Sequence, residues 1–352
     1  MARARLFGAL SAAAAAHAAP TRRRRACSAE VQATPRSPPQ PPPQPEGLGL
    51  NSQHLSIFAR NGSRVSFGEV LQAAERADVI LVGEVHDDPV AHQVELYLLA
   101  SLHQRRSCGL SLEMFETDVQ SVLDEYLAGQ VQERDFLLDA RPWANYEDYR
   151  ALVEFAKYSG IPVTAANAPR RYVGAVGRDG LGALSARHWP ASSANFLPPL
   201  PLPEPSPAYM QHLERSPAVP LRRADLGIAC GSSLGSSAFM CRPSELAPCV
   251  ILWDSAMAFS ISRQLASDPT RAMLHVCGVF HAERFVGICE MLSHYRRGTR
   301  PLVVAIYPED DCHTFVEDVH ASAADFVILT DATLPRTHDY FAFSAGKKCS
   351  SR

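Results

Sequence analysis

Short apolar runs alternate with helical patterns between about residue 78 and residue 330 of the chain. Each run is six to eight residues long and apolar at most positions, as buried strands are. We predict strands at 78–83, 109–115, 161–166, 272–278, 301–308 and 325–330. Amphipathic helical segments follow most of them, and this alternation is typical of an α/β fold. The pattern therefore predicts a mostly parallel sheet flanked by helices.

Capping signals mark the starts of two predicted helices. Asp88-Pro89 precedes a helix over 90–104, because Asp caps a helix and Pro suits its first turn. Asp254 is predicted in the same way to cap a helix over 253–266, with a role as a ligand as the alternative. Further helices are predicted at 117–127, 145–160 and 282–296.

The alternation stops over about 185–248, where Pro, Gly and Ser are frequent. The stretch contains "FLPPLPLPEPSPAY" and "ACGSSLGSS", which are typical of turns and irregular connections. We predict an inserted, partly helical cap here, within an α/β domain that spans 51–345. A short tail over 346–352 follows.

The first 50 residues have a different composition from the rest of the chain. They hold seven Arg and two acidic residues, then a Pro-rich stretch over 35–47. Such a segment cannot form a core, and it predicts a targeting peptide followed by an extended spacer. A plastid is the expected destination. A mitochondrion and the secretory pathway stay open, since "LFGALSAAAAAHAAP" also resembles a signal sequence.

Charge and cysteine content narrow the classes of function. Without the first 50 residues the chain has 27 basic and 35 acidic residues, and no basic cluster, which argues against nucleic acid as a partner. No apolar run approaches the roughly 20 residues of a membrane span. The nine cysteines are scattered without zinc-site spacing, which favours free, mostly buried thiols.

Polar side chains follow four of the predicted strands directly. They are Glu84 with His86, Glu113, Asn167 and His281. Because the carboxyl ends of parallel strands meet at one edge of a sheet, we expect these groups to face one crevice. A structural role is the alternative for each of them: His86 as a solvated residue near a helix cap, Glu113 as an outward-facing strand residue, Asn167 as a turn residue.

Two of these strand ends share the pattern Gly-x-x-His, at Gly83 to His86 and at Gly278 to His281. Two imidazoles with one or two carboxylates are a ligand set for a divalent metal. The same groups also suit general acid–base work, in which a carboxylate holds the base. The sequence alone leaves both chemistries open.

The order of the motifs resembles that of the ChaN-like haem-binding family, part of a larger group with TIKI and TraB proteins and erythromycin esterases. The resemblance covers about 79–300. It rests on "ILVGEVHDDPVAHQVELYLL", "LSLEMFETDVQSVLDEYL", "YEDYRALVEFAKYSGIPVTAANAPRRYV", "LPPLPLPEPSPAY", "LWDSAMAFSI" and "HVCGVFHAERFVGICEML". It implies an α/β fold with a helical cap, haem binding, and a homodimer formed around the cofactors.

The resemblance also implies candidate residues. TIKI-like relatives place a metal between residues that match His86, Glu113 and His281, and erythromycin esterases use a glutamate and histidine that match Glu84 and His86. For haem, the iron ligand stays open between histidine and tyrosine. The candidates for cofactor contacts are His86, Asn167, Arg170, Tyr172, Tyr209 and His281.

Three functions follow as hypotheses. The first is a protein that binds or carries haem or a related tetrapyrrole. The second is a metal-dependent hydrolase, TIKI-like protease or esterase, that uses Glu84, His86, Glu113 and His281 as catalytic residues. The third is a member of the fold that has lost its chemistry and acts as an interaction module.

Overall fold

The structure is a computed structural model that describes residues 50–185, 189–216, 219–221, 239–241 and 246–338. The predicted targeting segment and spacer lie outside these residues except for Leu50, as do much of the predicted cap and the predicted tail over 346–352.

Strands form one seven-stranded sheet and one small two-stranded antiparallel sheet within the described residues. The order across the large sheet is β1-β9-β8-β2-β7-β3-β4, and every neighbouring pair is parallel except β1 with β9. The strands are β1 Leu55–Ala59, β2 Val79–Glu84, β3 Cys108–Glu116, β4 Val163–Asn167, β5 Val219–Leu221, β6 Phe239–Cys241, β7 Ala272–Gly278, β8 Pro301–Glu309 and β9 Phe326–Asp331. The predicted α/β class with a mostly parallel sheet is confirmed.

Helices cover both faces of this sheet, since each face carries its own group of buried side chains. They are α1 Phe67–Ala74, α2 Pro89–Arg105, α3 Gln120–Leu127, α4 Glu133–Ala140, α5 Tyr146–Ser159, α6 Arg170–Asp179, α7 Pro207–Arg215, α8 Ala247–Ser267, α9 Ile288–Tyr295 and α10 Glu317–His320. Short 3-10 turns at Thr117–Val119, Val279–His281 and Glu283–Phe285 precede α3 and α9. The helix α7 lies in the described part of the region predicted as a partly helical cap.

The predicted capping role of Asp254 is wrong. The helix α8 begins at Ala247, so Asp254 lies two turns inside it and is fully buried. Asp88, by contrast, caps α2 as predicted: its Oδ1 accepts from the backbone N–H of Val90 at 2.9 Å. A buried carboxylate in the middle of a helix needs partners, and those partners lead to the candidate site.

The side chains at the centre of the sheet are buried on both faces. All six residues of β2 are buried, and Ile80, Leu81 and Val82 are completely inaccessible. Each such side chain contributes roughly 1.5–3 kcal/mol of burial free energy. This apolar anchoring fixes the position of Glu84 at the last residue of the strand.

Two further properties of the described residues bear on the sequence predictions. Cys108, Cys249, Cys277, Cys289 and Cys312 are buried free thiols. Across the part of the chain that the structure describes, no helix combines the length and apolarity needed to cross a membrane.

Candidate functional site

Three adjacent strands, β2, β7 and β3, bring four of the five predicted polar residues to one edge of the sheet; these are Glu84, His86, Glu113 and His281. The strand β7 lies between β2 and β3, and Glu84 pairs in register with Gly278. The carboxylate of Glu113, near the end of β3, accepts at Oε2 from the backbone N–H of Gly278 at 2.8 Å. The side chain of Glu113 is therefore turned toward β7 and the site.

The two histidines of the Gly-x-x-His motifs meet over Gly278. A β carbon on Gly278 would lie 3.0 Å from Nε2 of His86 and 3.6 Å from Cδ2 of His281. The structure therefore brings Glu113, His86 and His281 together around one glycine. Any larger residue at position 278 would press on the imidazole of His86.

The carboxylate of Glu84 and the hydroxyl of Tyr149 fix one side of His86. The Nδ1–H of His86 donates to Glu84 Oε1 at 3.1 Å, and the hydroxyl of Tyr149 donates to the same oxygen at 2.6 Å. Burial, with the nearby carboxylate of Glu95 adding to it, raises the pKa of Glu84 to about 7. Trp143 packs edge-on against the His86 ring, with ring centroids 4.8 Å apart. The orientation of His86 is thus set from two sides.

A second hydrogen-bonded chain holds His281. Its Nδ1–H donates to Asp254 Oδ1 at 2.5 Å, and the hydroxyl of Tyr209 donates to Asp254 Oδ2. On its other side, Nε2 of His281 lies 3.5 Å from Oε1 of Glu113. Burial raises the pKa of Asp254 and opposes protonation of His281, but the carboxylates of Asp254 and Glu113 prevail and raise the pKa of His281.

Two glycines make this arrangement possible. Gly287 adopts φ +58°, and a β carbon there would lie 2.4 Å from the carbonyl oxygen of His281. Gly83 lies so close to the chain after β7 that its β carbon would be 2.8 Å from Cα of Val279. Only glycine allows both approaches without a shift of the backbone.

The four candidate haem ligands differ sharply in access. The side chain of His86 is 27% exposed. His281, Tyr172 and Tyr209 are buried, and the rings of Phe280 and Trp253 contact His281. Of these four, His86 alone reaches solvent.

The remaining predicted cofactor contacts have partners within the chain. Asn167 is buried and its Oδ1 accepts from the backbone N–H of Ala168 at 2.8 Å. Arg170 donates to the carboxylate of Glu116. Tyr172 packs edge-on against Trp189 at 4.7 Å between ring centroids. None of these contacts joins Asn167, Arg170 or Tyr172 to the two histidines.

Sequence reasoning missed several residues that support the site. Tyr149, His92 and Glu95 lie behind Glu84, with Nδ1 of His92 3.3 Å from Glu84 Oε2. The spacing His92-x-x-Glu95 places both side chains on one face of α2. This spacing was the feature of the sequence from which the pair could have been predicted. Gly287 gave no signal beyond its residue type.

The arrangement offers two kinds of chemistry. A partly exposed imidazole whose Nδ1 is held by a carboxylate is suited to bind a metal or haem iron through its other nitrogen. A buried histidine between two carboxylates, as His281 is between Asp254 and Glu113, is suited to proton transfer.

The fold and this edge define an α/β protein with two histidines and two carboxylates at the carboxyl ends of adjacent parallel strands. A family model described as haem-binding uptake, Tiki superfamily, ChaN matches residues 70–292. The chain belongs to this family, as the motif order predicted. A comparison with curated proteins gives no match.

Three solved structures resemble the chain, and the first of them shares its fold. A structure described as cofacial heme binding to ChaN of Campylobacter jejuni is 16% identical, with a TM-score of 0.55, and the match covers 80% of this chain and all of that one. The type III effector HopBA1 is 11% identical over 74% of this chain and 91% of its own, with a TM-score of 0.40. A mutant of the erythromycin esterase EreC in its open conformation is 12% identical over 72% and 77%, also at 0.40.

Proposed function

We propose that this protein binds haem or a closely related tetrapyrrole and that Nε2 of His86 is the iron ligand. Membership of the haem-binding uptake family supports the ligand class, as does the haem bound by ChaN of Campylobacter jejuni. The observation that carries the proposal is the exposure of His86, because the other three candidate ligands are buried.

The environment of His86 fits an axial ligand. Histidines that bind metals usually donate their other ring N–H to a carboxylate, which fixes the tautomer and raises the basicity of the ligating nitrogen. Glu84 and Tyr149 provide that support at Nδ1, and no described residue hydrogen-bonds to Nε2. When bound, haem would supply an iron atom with an open coordination position for Nε2.

The buried tyrosines fit the role less well. The hydroxyl of Tyr209 is committed to Asp254, and burial with that carboxylate beside it raises the pKa of Tyr209. A tyrosine ligates iron as the phenolate, which this setting disfavours. Tyr172 lies in a separate apolar cluster of the described residues, against Trp189.

Titration of the full-length chain with haemin tests the proposal. We expect a shifted Soret band, and we expect His86→Ala to weaken haemin binding by at least about 10-fold, as loss of an iron ligand does. Tyr172→Phe, a variant of a buried candidate, should leave the spectrum unchanged. An unchanged spectrum in His86→Ala, or no binding above that of an unrelated apolar protein, would overturn the assignment.

A hydrolase is the second candidate function, favoured by the contacts around His281. Asp254 orients one ring nitrogen and Glu113 faces the other, as in a general base with an orienting acid. Turnover of ester and peptide substrates that His281→Asn abolishes, in protein without haem, would support this function. If haem binding and hydrolysis are both absent, the interaction-module hypothesis becomes the leading one.

Targeting to a plastid is proposed for the amino-terminal 45 residues. Seven Arg and two acidic residues in the first 50, with a Pro-rich stretch behind them, support it. Mass spectrometry of the endogenous protein should find a mature chain that begins near this point. Recovery of Met1 in the main species would contradict the proposal.

A further inference from the structure

We infer that Glu84, His92 and Glu95 form a buried site for a divalent transition-metal cation such as Zn²⁺. This site lies on the side of Glu84 that faces away from His86. Each residue offers one ligand atom, and these atoms all lie within 4.8 Å of one another. This set shares no residue with the metal ligands predicted from the sequence, which were His86, Glu113 and His281. It does not rest on the proposed haem function.

The turn from β2 into α2 assembles the three residues. Glu84 is the last residue of β2, and α2 begins five residues later at Pro89 under the cap provided by Asp88. His92 and Glu95 lie three residues apart in α2, which places them side by side on the face toward Glu84. The strand end and the first two turns of the helix thus present their side chains to one point.

Three atoms in this cluster are buried without a hydrogen-bond partner. They are Glu84 Oε2, His92 Nε2 and Glu95 Oε1. The side chains of Glu84 and Glu95 are completely inaccessible, and that of His92 is 9% exposed. Buried polar atoms without partners are costly, and native proteins rarely keep several in one place without a bound ion or water.

A cation resolves the electrostatics of the cluster. Two buried carboxylates this close repel each other, and the basic groups beside them are the imidazole of His92, which faces both, and that of His86, which contacts Glu84 alone. A bound divalent ion would neutralise both carboxylates and take one lone pair from each residue. The mixture of imidazole and carboxylate ligands suits Zn²⁺ and its neighbours, whereas Mg²⁺ and Ca²⁺ prefer oxygen alone.

The same carboxylate would connect this ion with the exposed histidine. Oε1 of Glu84 accepts from His86 and Tyr149, while Oε2 faces His92 and the proposed ion. A cation on Oε2 would withdraw charge from Oε1 and fix the position of the carboxylate. The ion would therefore act on His86 as a supporting group that the solvent does not reach.

A shared proton between Glu84 and Glu95 is the rival explanation, and two substitutions separate it from a metal. Glu95→Gln keeps the shape of the side chain and adds a permanent N–H donor toward Glu84. His92→Gln removes the imidazole. Glu113→Gln is the matched control, since it changes a buried glutamate of the neighbouring strand end that belongs to the other predicted metal set.

The experiment uses full-length, haem-free protein that has been stripped with a chelator and then titrated with Zn²⁺. Elemental analysis after desalting gives the metal content, and Co²⁺ absorption bands report nitrogen and oxygen ligation. We expect about one ion per chain, and affinity lowered more than about 10-fold in Glu95→Gln and in His92→Gln. Glu113→Gln should retain the ion.

Three results would overturn the inference: wild-type protein that binds no ion, Glu95→Gln or His92→Gln that binds as tightly as wild type, or loss of the ion in Glu113→Gln. Higher stability of Glu95→Gln without any bound metal would establish the shared proton instead. Circular dichroism checks that each variant folds. If Glu95→Gln does not fold, His92→Gln and the wild-type titration decide.

Discussion

The backbone of Gly278 lies directly against the imidazole of His86, and a β carbon there would be only 3.0 Å from Nε2. Because Nε2 is the proposed iron ligand, the glycine keeps open the space beside the ligating atom. Gly278→Ala would force the ring to move by a few tenths of an ångström.

We therefore expect Gly278→Ala to weaken haemin binding about 10-fold while the protein stays folded. A misplaced iron ligand should lower the affinity about as much as loss of the hydrogen-bond partner that orients it. Haemin titration followed at the Soret band gives the affinity. Gly182→Ala is the control, since a β carbon at Gly182 would meet no atom within 4 Å. Equal affinities of the two variants would show that the spacing above Gly278 is unimportant.

Gly287 and Gly160 are compared in the second prediction. Both have positive φ, but Gly160 (φ +67°, ψ +24°) lies in the left-handed helical region that alanine can adopt at modest cost, whereas Gly287 (φ +58°, ψ −120°) lies in a region almost restricted to glycine. At Gly287 the new methyl group would also overlap the carbonyl oxygen of His281 at 2.4 Å, whereas at Gly160 it would meet nothing within 4 Å.

Gly160→Ala should cost about 1–2 kcal/mol of unfolding free energy through backbone strain alone. We expect Gly287→Ala to cost more than that by at least about 1 kcal/mol, since the overlap forces the backbone to shift. Urea unfolding of both variants measures the difference. A similar loss in the two would mean that the loop before α9 relaxes freely.

The third prediction concerns Asp254, the residue that joins His281 to Tyr209. Asp254→Ala leaves the imidazole and the hydroxyl buried without their acceptor, so we expect a loss of about 3 kcal/mol. Tyr209→Phe removes one donor and should cost about 1 kcal/mol. Chemical unfolding tests the order of the two values, and a larger loss for Tyr209→Phe would contradict the central role of Asp254.

His275 gives a prediction about pH. It lies on β7, fully buried, with Nδ1 2.9 Å from Ser111 Oγ and with no hydrogen-bond partner at Nε2. Burial lowers the pKa of His275 to about 4. The unfolded chain, where the ordinary value near 6.5 applies, therefore binds more protons than the folded protein between these two pH values.

The stability from this group should be fully present above about pH 6.5 and should fall by up to about 3 kcal/mol as the pH drops to 4. In His275→Leu this part of the pH dependence should disappear, although the variant is less stable overall. The control is His294→Leu at an exposed histidine, which should leave this pH dependence of stability unchanged. Unfolding free energies at several pH values decide, and parallel curves for His275→Leu and wild type would refute the assignment.

Much of the sheet was predictable because a strand buried on both faces is a continuous apolar run. The strand predicted at 272–278 coincides with β7, and the ends of the other five predicted strands lie within two residues of the ends of β2, β3, β4, β8 and β9. The edge strand β1 was missed because Leu55–Ala59 is only five residues long, although the turn dipeptide Asn61-Gly62 follows it.

The candidate site was only partly predictable, because spacing shows which residues share an edge but not which side chains reach each other. Asp254 illustrates the difficulty. An acidic residue before an apolar helical run has the pattern of a cap, and only packing shows that α8 starts two turns earlier. His92 and Glu95 were not singled out in the sequence, and only the fold shows that this part of α2 faces Glu84.

The placement of β7 between β2 and β3 has a consequence during synthesis. The strand β2 pairs with β7 and β8 alone, which begin about 190 and about 220 residues further along the chain. A growing chain therefore exposes an apolar strand with two open edges until its late partners emerge, and such edges invite pairing with other chains. We expect nascent β2, with Glu84 and His86 at its tip, to need protection until the chain is nearly complete.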